Sequence, residues 1–153
     1  SSKNLKHFSD SIAMFWTGIT RPSESVLREQ DKKNKLNEDV LNKMKDQALE
    51  LSKILTKPDL IIKDVGALLN QGWEYKKSLA SKITNPSIDD WYTKALKHGA
   101  LGGKISGAGG GGFLSLIAEP NRKDKLSDEL EKLGLKRYNF GLDSEGTSVS
   151  QIN

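Results

Sequence analysis

"KISGAGGGGF" (residues 104–113) holds four consecutive glycines, Gly109, Gly110, Gly111 and Gly112, with a fifth, Gly107, just ahead of them. Glycine loses more conformational freedom on folding than any other residue. Such a run is therefore either slack chain or a loop whose bare main chain something must approach closely. The flanks argue for the second. "ALGGKIS" (100–106) and "GFLSLIA" (112–118) are apolar and bounded by glycine, which is strand chemistry. A slack linker is poorly placed between two core strands. The pattern predicts a tight turn joining adjacent strands at 101–105 and 113–118, with no helix starting at Gly112.

Upstream, "SIAMFWT" (11–17) reads as a buried strand ended by Gly18. Pro22 and Ser23 then open a helix, and "DKKNKLN" (31–37) is an exposed turn or helix end. From Glu38 the period becomes helical, with Leu41, Met44, Ala48, Leu51 and Leu55 on one stripe. Pro58 fits the first turn of the next helix, whose stripe runs through Ile61, Val65, Leu68, Leu69, Gly72 and Trp73. After the Asn85-Pro86 break, Ser87 can cap a third helix, with Asp90 as a loose capping box and Gly99 as its stop. Pro120 and Asn121 open a last helix, ended by Gly134. "KRYNFGL" (136–142) and "TSVSQI" (147–152) read as closing strands around the turn "DSEG". One α+β domain spans residues 1–153.

The composition fits an ordinary globular chain: 153 residues, 35% hydrophobic, 29% charged, no cysteine and a formal net charge of +4. The positive charge is spread along the chain and favours anionic ligands only mildly. No apolar run approaches the roughly 20 residues that cross a bilayer, and a cytoplasmic location is expected. No aromatic stripe interleaves with a basic cluster, which argues against nucleic acid. His7 and His98 lack partners at zinc-ligand spacing, so no metal site is expected. Asp89 and Asp90 suit the start of a helix better than acid–base work.

Gly107, Gly109 and Gly112 satisfy the G-x-G-x-x-G dinucleotide spacing, but that fingerprint must open a helix, and strand chemistry follows here. A Walker A loop needs Gly-Lys-Ser/Thr after its second glycine. The only Gly-Lys, Gly103-Lys104, precedes the run.

"GALGGKISGAGGGGFLSLI" resembles the third motif of the GHMP kinases, the galacto-, homoserine, mevalonate and phosphomevalonate kinase family. Lys104, Ser106, Gly107, Ala108, Gly109, Gly111 and Gly112 fill the motif, and Phe113 follows. "FWTGITRPSESVLREQ" and "WEYKKSLASKITNPSIDDWYTKALKHGALGGK" extend the resemblance over nearly all the chain from about residue 11. They look like the sugar-kinase branch containing the D-glycero-D-manno-heptose 7-phosphate kinases. The match is to the family's C-terminal domain. It implies an antiparallel sheet packed against helices in a ferredoxin-like fold. It also implies a missing N-terminal domain holding the Pro-x-x-x-Gly-Leu-x-Ser-Ser ATP loop and the catalytic aspartate, so no catalytic residue is expected here. ATP and Mg2+ would be bound mainly by that domain.

By this resemblance Lys104, Ser106, Gly107, Ala108, Gly109, Gly110, Gly111 and Gly112 would shape a phosphate and substrate loop, its main-chain N–H groups forming a nest. Lys104 would point to the site, brace the loop, or be an exposed strand-end lysine. Ser106 would serve the loop or the substrate, or make a local bond. Arg21 sits where a strand hands over to a helix and offers a bidentate fork for a substrate phosphate. Lys77 lies four residues after Trp73, and Lys76 four after Gly72, so basic groups end an apolar stripe. Trp73, Lys76 and Lys77 are either substrate contacts or a core tryptophan beside solvated lysines. Two functions compete. One is the C-terminal domain of an ATP-dependent sugar or sugar-phosphate kinase, inactive alone and partnered by the missing domain. The other is a non-catalytic α+β ligand-binding or interaction module with a kinase-like loop.

Overall fold

The computed structural model describes residues 2–20, 22–33, 35–143, 146 and 149. Its elements run α1 (Ser2–Asp10), β1 (Ile12–Trp16), α2 (Ser23–Lys33), α3 (Glu38–Thr56), α4 (Ile62–Ser78), α5 (Pro86–Lys97), β2 (Ala100–Ile105), β3 (Phe113–Ala118), α6 (Pro120–Glu131) and β4 (Lys136–Tyr138). The strands form one antiparallel sheet in the order β2-β3-β1-β4. Read from the other edge this is 4-1-3-2, the ferredoxin-like arrangement of the βαββαβ unit.

Strand alternation feeds two cores. Ala13 and Phe15 of β1, with Leu114 and Leu116 of β3, join Ile88, Tyr92 and Ala95 of α5 and Leu126 and Leu130 of α6. On a second cluster, Ile12 and Ile117 meet Ile54 of α3, Ile62 and Val65 of α4, and Phe8 of α1. α4 lies so close to β2 that both surfaces must be bare. A Cβ on Gly102 would sit 2.0 Å from the Gly66 carbonyl oxygen, and one on Gly66 would sit 2.3 Å from Leu101 Cβ. The register shift between Ala100 and Gly102 falls at this crossing. Among the described residues no helix is long and apolar enough to cross a membrane.

Several expectations need correction. The helix after Pro58 starts only at Ile62, so Pro58 belongs to the connection and not to a first turn. The cap of α5 is Asn85, whose side chain accepts from Ile88 N at 3.1 Å, with Pro86 in the first turn; Ser87 is already helical. α1 is a helix the sequence pattern did not predict. β4 keeps only three residues of "KRYNFGL", and the closing strand expected at 147–152 lies outside the described residues, apart from exposed Val149.

Candidate functional site

The glycine run is the turn between β2 and β3, and no helix begins at Gly112. Gly107, Gly109, Gly110 and Gly112 all have positive φ, from 77° to 104°, conformations that favour glycine. The loop is anchored rather than slack. Ser106 N donates to Phe113 O at 2.8 Å, continuing the strand ladder. Gly110 N donates to Ile83 O at 2.7 Å and Gly112 N to Ile19 O at 2.9 Å. Thr17 closes the other end: its N and Oγ1 donate to Gly112 O at 3.0 and 2.8 Å. Asn85 Nδ2 reaches Gly110 O at 3.4 Å.

From beneath, Lys76 Nζ donates to Gly107 O at 2.5 Å and to Ile105 O at 3.2 Å. These bonds hold the Ile105 and Gly107 carbonyls on the Lys76 side of the loop. Among the described residues the N–H groups of Gly107, Ala108, Gly109 and Gly111 meet no acceptor. Unpaired main-chain donors in a tight turn that mixes positive and negative φ are the chemistry of an anion nest.

Burial, and then the like charge of Lys104, depress the Lys76 ammonium to a pKa of about 8. The folded value lies below the ordinary lysine value of about 10.4. Between the two, the unfolded chain binds more protons, so this group's contribution to stability is fullest above the ordinary value and is lost as pH falls through about 8. Side-chain NMR titration of Lys76 is expected to show a midpoint near 8 that moves upward in Lys104→Met. A midpoint in the ordinary lysine range would contradict the brace.

The sequence-derived candidates separate. Ser106 stays with the loop, its Oγ 2.9 Å from Ser115 Oγ on the neighbouring strand. Lys104 is exposed on β2 and faces the cleft between α3 and α4. Lys77 pairs with Glu74 at 2.8 Å on its own helix. Trp73 is 1% exposed within the core, its ring 6.1 Å from that of Tyr92, so the reading of it as a substrate contact is corrected to a core residue. Among the described residues its Nε1–H finds no acceptor. Trp73→Phe removes that orphan donor but leaves a cavity in the core, so it is expected to cost about 1–3 kcal/mol in urea unfolding. A loss well above that range would mean that the indole N–H makes a hydrogen bond in addition to filling the core. Arg21 lies outside the described residues; its neighbour Ile19 holds Gly112 by its carbonyl. Sequence reasoning missed Thr17, Ile19, Ile83 and Asn85. Only Thr17 and Asn85 anchor the loop through side chains, and Asn85-Pro86 was the one visible signal. Among the described residues no three His, Cys, Asp or Glu side chains gather to hold a metal ion, and magnesium is assigned to no residue of this chain.

The chain is 28% identical over 143 residues to a D-glycero-alpha-D-manno-heptose 7-phosphate kinase of Campylobacter jejuni, covering 91% of this chain and 41% of that protein. It is 32% identical over 116 residues to an L-fucokinase/L-fucose-1-P guanylyltransferase of Bacteroides fragilis, covering 73% of this chain and 12% of that protein. The chain therefore spans less than half the length of these relatives. Its fold matches that of the L. major mevalonate kinase solved in complex with R-mevalonate, with a TM-score of 0.68 at 20% identity, over 83% of this chain and 41% of that one. Residues 59–135, half of the sequence and including the whole glycine loop, match the model for the C-terminal domain of GHMP kinases. The chain belongs to the GHMP kinase family, as a C-terminal domain.

Proposed function

We propose that this chain is the substrate-side domain of an ATP-dependent kinase acting on a sugar or sugar phosphate, with a heptose phosphate as the favoured acceptor class. The observation that carries the reading is the loop itself: four main-chain N–H groups that meet no acceptor among the described residues, braced by the ammonium of Lys76. The relative named for heptose 7-phosphate supports the acceptor class.

Phosphoryl transfer asks for positioning and charge stabilisation more than covalent help. ATP would supply the transferred group, held with Mg2+ chiefly by an N-terminal domain. The acceptor's hydroxyl oxygen would take it as the bond to ADP breaks, and the residues of this chain would surround it in transit. The N–H groups of Gly107, Ala108, Gly109 and Gly111 would point at equatorial oxygens as charge develops there. Lys76 adds a positive charge one layer below, and the missing Cβ atoms permit close approach. No catalytic base is assigned to these residues. Arg21 and Lys77 remain candidates for the phosphate already on the acceptor.

The full gene product is expected to release ADP from ATP when given a heptose or hexose phosphate, measured by a coupled assay. The 153-residue chain by itself is expected to release none. Turnover by the chain alone would overturn this division of labour. Failure of the full product with every sugar and sugar phosphate would favour the non-catalytic ligand-binding module.

A further inference from the structure

We propose that the cleft between α3 and α4 is a second binding site, for a small amphipathic anion: a carboxylate or phosphate head on an apolar body. It does not depend on the loop serving a kinase. The apolar stripe of α3 is only half covered, because α3 packs on α4 alone among the larger contacts. Met44 and Leu51 are partly buried and Ala48 is exposed. With Leu69 of α4 they wall a cleft of about 180 Å³ that ends at Lys76 and Lys104. That is room for about six water-sized groups, at roughly 30 Å³ each.

The charged end is what selects a ligand. Two ammonium groups share one partly enclosed place, and among the described residues neither has a carboxylate partner. Like charges brought close together repel, and an anion between exposed Lys104 and half-buried Lys76 relieves that repulsion. The donors are available. Lys76 spends two of its three N–H bonds on Ile105 O and Gly107 O, leaving one, and Lys104 makes no hydrogen bond among the described residues and offers three. The other ionisable groups nearby on α4, Glu74 and Lys77, neutralise each other, and Met44, Gln47, Ala48 and Leu51, which α3 lends to the cleft, are all uncharged. The apolar wall argues against a bare inorganic ion or a sugar. Since Lys76 also holds Gly107 O, an occupant of the cleft would be felt at the glycine loop.

The test is a methyl and amide NMR titration of the 153-residue chain with hexanoate, hexyl phosphate, 1-hexanol and inorganic phosphate. Either hexyl anion is expected to shift Met44, Leu51 and Leu69 methyls saturably, and the tighter of the two identifies the head group. 1-Hexanol is expected to bind at least about tenfold more weakly, as is the better anion to Lys104→Gln, because a charge-assisted bond is lost. Inorganic phosphate should leave the methyls unmoved. Ala48→Phe, at an exposed position, should fill the cleft and abolish the shifts while the remaining spectrum persists. The proposal is overturned if hexanol matches the anions, if the anions move only loop amides, or if Lys104→Gln binds them unchanged.

Discussion

Gly109→Ala is expected to lower kcat/KM of the proposed full-length kinase about a hundredfold, the scale on which one preorganised main-chain donor matters to a developing oxyanion. Gly109 has φ +104°, and a Cβ there would stand 2.8 Å from Ile83 O and 3.0 Å from Ile83 Cα. Ile83 O is the acceptor that fixes Gly110 N at 2.7 Å. Alanine must therefore either strain the backbone or push the loop off this anchor. Both turn the neighbouring peptides, whose N–H groups at Gly109 and Gly111 belong to the nest. The stability cost is expected to be smaller, about 1–3 kcal/mol for one residue held in an unfavourable region. Gly107→Ala is the control. Its φ is +78°, but a Cβ there meets nothing within 4 Å, so it carries strain of about 1–2 kcal/mol without displacement. It should lose distinctly less activity than Gly109→Ala at comparable thermal stability. Equal losses in the two variants, or losses under twofold in both, would reduce the glycine run to a simple turn.

How much of this was legible in the sequence depended on whether side chains carried the signal. The strands on both sides of the run were readable because apolar residues stop abruptly at glycines, and β3 begins at Phe113 as expected while β2 starts one residue early. The start of α3 at Glu38 followed from its period. α1 gave no such signal. Leu5 is 56% exposed, and the helix is tied down partly by Asn4 Nδ2 donating to Lys57 O at 2.7 Å, a contact 53 positions away. The start of α4 was misplaced because Pro tolerates a first helical turn without requiring one.

The loop's anchors were illegible for a different reason. Ile19 and Ile83 contribute main-chain carbonyls, and every residue type has one. The role of Lys76 was half legible. Its spacing put it at the end of an apolar stripe, but whether it faced a ligand or the underside of the loop depended on how closely α4 approaches β2. That distance is set by Gly66, which the periodicity passed over, and by Gly102.

Gly102→Ala is therefore expected to be strongly destabilising, costing about 3–5 kcal/mol. Ordinary overpacking costs about 1–3 kcal/mol because side chains can shift. Here the methyl would meet the α4 backbone at two atoms, 2.0 Å from Gly66 O and 2.8 Å from Asn70 N, and neither can move without the helix. Displacing α4 would loosen Val65 and Trp73, both fully buried. It would also disturb Tyr92 Oη, which lies 2.8 Å from Asn70 Oδ1 and 3.3 Å from Gly103 O. Against a total stability of about 5–15 kcal/mol, urea unfolding should show a large fall in the midpoint. Alanine at Gly134, whose Cβ meets nothing within 4 Å at φ +88°, should cost only about 1–2 kcal/mol. The helix that Gly102 admits is the one that carries Lys76 to Gly107 O, so whatever Gly102→Ala protein remains folded should also lose the depressed Lys76 titration near pH 8. If Gly102→Ala unfolds at the midpoint of the parent, or keeps that titration, the close crossing of α4 and β2 is not what holds the loop's brace in place.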